Sequence, residues 1–256
     1  MKTDYIVYYI ARDIEEDRIN FMESWLKKSN LNYKRIAGVD VSDNKKIPLY
    51  NSKKRLSRYG YNLTNGEIGC FLAHRECWKK AANNNFLTII LENDVSPVNL
   101  NKFKKFLLEL NKSNLDFDIL RLSGIFEKKE KYRRKIKQLS EGFSLVQTYG
   151  DPVGAGAYAI KNKSANKLLK KSQSFYQPLD IFLAAVWEHK LIFRTIKPYP
   201  FQIHNHGCSD DLEFIPTSMN PRIKPKQNKI KRLLIEFNRF FDDLKKITYK
   251  PYNFFR

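Results

Sequence analysis

Neither a GxGxxG nor a GKT/GKS phosphate loop occurs in this sequence. That absence disfavours a dinucleotide-binding or P-loop protein, since both cradle phosphate on glycine backbone at a helix start. Cysteine is scarce: Cys70, Cys77 and Cys208 form no CxxC pair and no even framework. A disulfide scaffold is thereby disfavoured and a reducing compartment indicated. No apolar run approaches the length of a membrane-spanning helix. Asp4 and the short apolar stretch after it do not fit a secretory leader. The expectation is a cytoplasmic protein, peripheral to a membrane.

Acid is also in short supply. There are 27 Asp and Glu against 47 Lys and Arg, a formal net charge of +20. Such an excess predicts attraction to nucleic acid, acidic lipid surfaces or phosphorylated substrates. A lysine-rich bias with solvated side chains accounts for part of the charge, but not for its clustering. No nucleic acid is expected as a partner. The sequence holds no recognisable reader module, and its basic residues are not interleaved with aromatics on strands.

What the chain does contain is enough apolar sequence for one large core: 42% of 256 residues. Tyr5 to Ala11 reads as a strand. A helix with Ile19, Met22, Trp25 and Leu26 at helical spacing follows, then a second strand and its turn over Leu31 to Val41. Strand, helix, strand predicts an α/β fold with a mostly parallel central sheet flanked by helices. Arg12 and Arg18, just after the first strand, are either ligand contacts or solvated. Ile47 to Tyr61 reads as a basic surface connection or a short helix. Thr64 and Glu67 form a capping-box pair for a helix reaching about Asn83. Glu67, Cys70, His74 and Trp78 share one face of it. His74 there is either a hydrogen-bonded core residue or part of a cavity wall, and Gly66 and Gly69 permit close backbone approach.

Phe86 to Val95, FLTIILENDV, organises the rest. Its apolar, β-branched run predicts a buried strand ending abruptly in Glu92, Asn93 and Asp94. Either the strand stops in a polar turn, or Glu92 and Asp94 converge on one cation. Further on, a helix is expected over Lys102 to Leu110, with Phe103, Phe106, Leu107 and Leu110 inward, and a strand over Asp118 to Leu122. Glu127 to Gln138 is dense in charge and reads as a solvated loop or helix face, or as a mobile loop that receives an anionic acceptor. AYAI is a strand preceded by Gly150, Gly154 and Gly156, and Ser164 is placed to cap a short helix. Asp180 opens the apolar helix IFLAAVW, either as a first-turn acid favoured by the helix dipole or as an acid facing a cleft. Leu191 to Ile196 reads as a last strand. His204 and His206 stand two apart, within reach of one region.

Residues 221–256 are expected to form a separate tail behind a catalytic domain of residues 1–220. Ile230, Leu233, Leu234, Phe237, Phe240, Phe241, Leu244 and Ile247 recur at three and four beside a basic face. That pattern suits an interfacial membrane helix, or a terminal helix packed on the domain.

Taken in order, GEIGC (Gly66 to Cys70), LAH (Leu72 to His74), Trp78, LENDV (Leu91 to Val95) and GAYAI (Gly156 to Ile160) resemble glycosyltransferase family 25, bacterial lipooligosaccharide and lipopolysaccharide glycosyltransferases, many of them β-galactosyltransferases. The likeness covers roughly residues 5–206 and leaves out the tail after Pro221. It implies a GT-A nucleotide-sugar fold, UDP-galactose as donor, Mn²⁺ or Mg²⁺ as cofactor, and a lipopolysaccharide or lipooligosaccharide core as acceptor at the inner membrane. UDP-glucose or a UDP-N-acetylhexosamine is the alternative donor. By this resemblance Asp94 is the direct metal ligand, with Glu92 binding through water or orienting the ribose, and His204 or His206 completing the shell. Arg12 and Arg18 touch the diphosphate, and Glu67, His74 and Asn93 line the donor site. Asp180, in PLDIFL, is the base for an inverting transfer, with Asp151 in reserve. The family's usual block reads L-E-D-D, so Asn93 is the one departure in the central motif, and any unusual metal dependence should trace to it.

Overall fold

The structure, a computed structural model, describes residues 5–42, 47–112, 115–124, 132–149, 154–204 and 228–254. The first half runs β1 (Tyr5–Ala11), α1 (Glu16–Ser29), β2 (Tyr33–Ala37), α2 (Ser52–Tyr59), α3 (Asn65–Ala82), β3 (Leu87–Glu92), β4 (Val95–Pro97) and α4 (Leu100–Lys112). The second runs β5 (Ile119–Arg121), β6 (Tyr132–Gln138), β7 (Ser144–Tyr149), β8 (Ala157–Ile160), α5 (Asn162–Lys171), α6 (Leu179–Ala184), α7 (Val186–His189), β9 (Phe193–Lys197), β10 (Phe201–Ile203) and α8 (Lys229–Phe254).

Eight strands form one sheet in the order β2-β1-β3-β8-β5-β9-β7-β6. β1 lies parallel between β2 and β3, and β5 is parallel to β9. Only β8 and β7 run against their neighbours. Six of the eight strands therefore point one way, as the strand-helix-strand opening predicts. β4 and β10 pair separately as an antiparallel ribbon.

The sheet has a core on each face, and alternation along the strands assigns each side chain to one of them. Val7, Tyr9, Ile89 and Leu91 pack with Met22, Trp25 and Leu26 of α1 and with Phe103, Phe106, Leu107 and Leu110 of α4. Ile6, Tyr8 and Ile90 pack on the other side with Phe71 and Trp78 of α3, Leu168 of α5 and Phe182 of α6. α3 begins with the capping box anticipated: Thr64 accepts from the Glu67 N–H, and Glu67 accepts from the Thr64 N–H at 2.8 Å.

Three local readings change. Residues 132–138 are the edge strand β6, paired with β7, instead of a loop or helix; residues 127–131 lie outside the described part. Exposed Arg134, Lys135 and Lys137 protect that edge from further pairing, which explains a strand with so little apolar sequence. Ser164 caps no helix. α5 starts at Asn162, and Ser164 Oγ donates instead to Asp118 at 2.6 Å. The run IFLAAVW splits into α6 and α7 at Ala185, whose backbone (φ −76°, ψ 57°) leaves the helical region.

Candidate functional site

A cleft of about 720 Å³ opens where the carboxyl ends of β1 and β3 meet the first turn of α1, the segment after β2 and the start of α3. This is the position at which open α/β sheets bind ligands. Its wall includes Arg12, Glu15, Arg18, Asp40, Gly69, Cys70, His74, Glu92, Asn93 and Asp94. α3 reaches this wall because Gly69 has no side chain: a Cβ there would stand 2.2 Å from the Val39 carbonyl oxygen.

Glu92 is the last residue of β3, and its N–H donates to the Gly156 carbonyl at 2.8 Å. Its Oε1 lies 3.4 Å from His74 Nε2 and 3.8 Å from Cys70 Sγ. Behind them, His74 Nδ1 is 2.9 Å from the Tyr158 hydroxyl, which accepts at 2.9 Å from Trp78 Nε1. The indole can only donate. The Tyr158 hydroxyl and His74 Nδ1 share the next hydrogen bond, and His74 Nε2, which makes no hydrogen bond of its own, faces Glu92. Trp78, Tyr158 and His74 are all buried. His74 is thus both a core residue and part of the cleft wall.

Asp94 sits two residues on. Its Oδ1 is buried without a hydrogen-bond partner. Burial, followed by the nearby Glu92 charge, pushes its carboxyl up to about 7. A buried carboxylate oxygen with no donor is costly unless something positive meets it. Asp94 and Glu92 together offer the oxygen donors that Mn²⁺ or Mg²⁺ takes, so the residues fit a divalent cation. Cys70, His74 and Glu92 also bring ligand atoms within 4.8 Å of one another. Burial and Glu92 raise the Cys70 thiol well above its ordinary value, so it stays protonated and serves as a weak donor.

Asn93 takes another role. Its Oδ1 accepts from Arg18 Nη1 at 3.0 Å, and its Nδ2 donates to Glu15 Oε2 at 2.8 Å. Glu15 also accepts from the Arg12 N–H at 2.8 Å and from its guanidinium at 3.1 Å. Burial alone would raise the Glu15 carboxyl, but the Arg12 hydrogen bonds and the Arg12 and Arg18 charges outweigh it and hold the pKa low. An amide, with one donor and one acceptor side, bridges this acid and this arginine as a second carboxylate could not.

The other expected residues divide. Arg12, Arg18, His74, Glu92, Asn93 and Asp94 meet at the cleft. Glu67 is buried in its capping box and is outside the cleft wall. Asp180 is also outside the wall, in the first turn of α6, and its Oδ1 accepts from the Ile181 N–H at 2.8 Å. Burial raises its carboxyl, and the Glu92 and Glu67 charges add to the rise. His204 is not part of the cleft wall; its N–H donates to the Asp94 carbonyl at 2.6 Å, its Nε2 is 2.7 Å from Ser96 Oγ, and its ring stands edge-on to Phe21. His206 and Asp151 lie outside the described residues. Glu15 and Tyr158 were not anticipated. Glu15 carried no signal beyond following a strand end, and Tyr158 was visible only as part of GAYAI.

The family model "Glycosyltransferase family 25 (LPS biosynthesis protein)" matches residues 5–183. Procollagen galactosyltransferase 1 of Danio rerio is 25% identical over 163 residues, which is 62% of this chain and 26% of that protein. The match thus spans about a quarter of that relative's length. Among solved structures, a mutant of Drosophila β-1,4-galactosyltransferase 7 in complex with manganese, UDP-Gal and xylobiose aligns over 90% of this chain and 79% of its own, at 13% identity and a TM-score of 0.40. Mannose-1-phosphate geranyltransferase from Thermus thermophilus aligns over 79% and 76%, at 8% identity and a TM-score of 0.34. At those scores the fold rests on the topology above. The family model, which contains the cleft, the LENDV turn and the GAYAI strand, is decisive: the chain belongs to glycosyltransferase family 25.

Proposed function

We propose that the chain is an inverting hexosyltransferase that moves galactose from UDP-galactose onto a core sugar of lipopolysaccharide or lipooligosaccharide. The observation that carries this reading is the partnerless, buried Asp94 oxygen in a cleft that also presents Arg12, Arg18 and Glu92. The name of the Danio rerio relative supports galactose, and the family description supports the acceptor.

Asp94 and Glu92 would hold Mn²⁺ or Mg²⁺, which supplies Lewis-acid neutralisation of the charge on a departing diphosphate. Arg18 and Arg12 lie across the cleft and offer guanidinium donors to the diphosphate oxygens. His74 Nε2, 3.4 Å from Glu92 Oε1, is the buried polar neighbour of that carboxylate. Asp180 is the candidate base, and Asp151 the reserve. As the acceptor oxygen bonds to the anomeric carbon, its proton passes to the carboxylate and the bond to the diphosphate oxygen breaks on the opposite face. Burial makes Asp180 a better proton acceptor than an exposed aspartate.

A donor screen tests the reading: UDP-galactose, UDP-glucose and UDP-N-acetylhexosamines, each with and without divalent metal. Metal-dependent turnover of UDP-galactose is the expected result. Turnover of another donor alone would correct the sugar, and failure to bind any UDP-sugar would overturn the reading.

A further inference from the structure

α8 is docked the wrong way round for a soluble terminal helix. Ile230, Leu233, Phe237, Phe240, Leu244 and Ile247 lie on one face and are 43% to 72% exposed. An amphipathic surface helix ordinarily turns such a stripe to the core. Here the opposite side is held. Ile235 is buried, Arg58 Nη1 donates to the Asn238 carbonyl at 2.7 Å, and Asn238 Nδ2 donates to the Ser57 carbonyl at 3.2 Å. Lys190 Nζ stands 4.1 Å over the Tyr249 ring, and Lys246 Nζ lies 5.6 Å from the centre of the Trp187 ring. These contacts to α2 and α7 fix the helix with its apolar face outward.

We infer that this face is a docking surface for an anionic phospholipid bilayer. α8 carries seven basic residues against three acidic ones, and α2 beside it adds exposed Lys53 and Lys54 and half-buried Arg58, with no acid. Anionic headgroups complement that charge, whereas a second copy of the chain would bring like charge to like. The patch is also a lone ridge. The other exposed large apolar residues among those described are scattered singly, at Ile14, Phe86, Val98, Leu108 and Ile136. Leu234 and Phe241 widen the stripe beyond the narrow seam of a helix pair. An exposed apolar ridge about 25 Å long suits the boundary between headgroups and acyl chains, where such a helix lies in the plane. No described helix is long and apolar enough to cross a membrane, so the association is with one surface.

The full chain is floated with vesicles of neutral phosphatidylcholine and with vesicles containing phosphatidylglycerol, beside the double variant Phe237→Asp, Phe241→Asp. Both residues are exposed, so the variant keeps the fold, which its circular dichroism and melting temperature verify. Binding to the anionic vesicles, weakened by salt and reduced at least about 100-fold in the variant, is the expected result. Equal binding by the variant, or no binding by the wild type, overturns the proposal. So does a wild-type dimer in vesicle-free sedimentation that becomes monomeric in the variant, since a second copy would then cover the face. None of these readouts depends on sugar transfer, so the two proposals fail separately.

Discussion

His74 Nε2 lies 3.4 Å from Glu92 Oε1, at the end of a buried chain that starts at Trp78 and passes through the Tyr158 hydroxyl. The carboxylate at the end of β3 therefore has a buried polar neighbour reaching it from inside the core. His74→Phe keeps a ring but removes its nitrogens. UDP-hexose turnover should fall about 10- to 100-fold, the usual cost of removing a polar group beside a metal-binding carboxylate. Tyr158→Phe strands the Trp78 N–H and should cost about 1–3 kcal/mol of stability as well as some activity. Kinetics and thermal melts of both variants check this; wild-type turnover in His74→Phe would remove His74 from the site.

Asn93 bridges Arg18 and Glu15. Asn93→Asp restores the acid of the family pattern but sets it against Glu15, where the amide donor stood 2.8 Å away. Two facing acids raise one another's pKa in the folded state. A group with a raised folded pKa stabilises below its unfolded pKa, and that stability is lost as pH rises through the folded value. Asn93→Asp should therefore be destabilised by about 1–2 kcal/mol at pH 8 and approach the wild type near pH 5. Melts at the two pH values measure the difference; a variant as stable as wild type at pH 8 would contradict the bridge.

Much of this site is legible in the sequence. The strand ending in LENDV, the capping box at Thr64 and Glu67, and the inward face of α4 are local patterns, and the structure keeps them. What could not be read is long-range. Glu15 and Asn93 are 78 positions apart, and only the parallel pairing of β1 with β3 brings their flanking turns together. Local pattern also misled where neighbours decided the outcome. Basic residues 132–138 become a strand because β7 offers them an edge. His204, at the end of β10, is set beside Ser96 and Asp94 by the pairing of β10 with β4, which no local pattern shows. The tail's stripe was plain in the sequence, but which side docks was set by α2 and α7.

Gly66 and Gly69 look alike in the sequence and differ in the fold. A Cβ at Gly69 meets the Val39 carbonyl oxygen at 2.2 Å, whereas one at Gly66 meets nothing within 4 Å. Gly69→Ala should cost about 2 kcal/mol and push α3 away from the segment after β2. Gly66→Ala, in the first turn of α3, should be neutral or stabilising by up to about 1 kcal/mol. Denaturant melts of the pair check the contrast, and equal effects would refute it.

His189 is buried and neutral. Its Nε2–H donates to the Leu183 carbonyl at 3.0 Å, and Nδ1 accepts from the Leu191 N–H at 3.1 Å. Burial lowers its pKa to about 4 from the ordinary 6.5. The unfolded chain therefore takes up this proton first as pH falls. The stabilisation is whole above pH 6.5 and is lost between 6.5 and 4, by on the order of 3 kcal/mol. The slope of stability against pH in that window should flatten in His189→Gln, which does not titrate. An unchanged slope would place the transition elsewhere.

The most direct measurement at the donor site compares wild type with Asp94→Asn in a titration of Mn²⁺ at saturating UDP-galactose, following UDP release. Asn keeps the size of the side chain and removes its charge, so melting temperature should hold or rise while metal-dependent turnover falls at least about 100-fold. Wild-type turnover with an unchanged Mn²⁺ requirement in Asp94→Asn would contradict the placement of the metal-binding carboxylate at the end of β3.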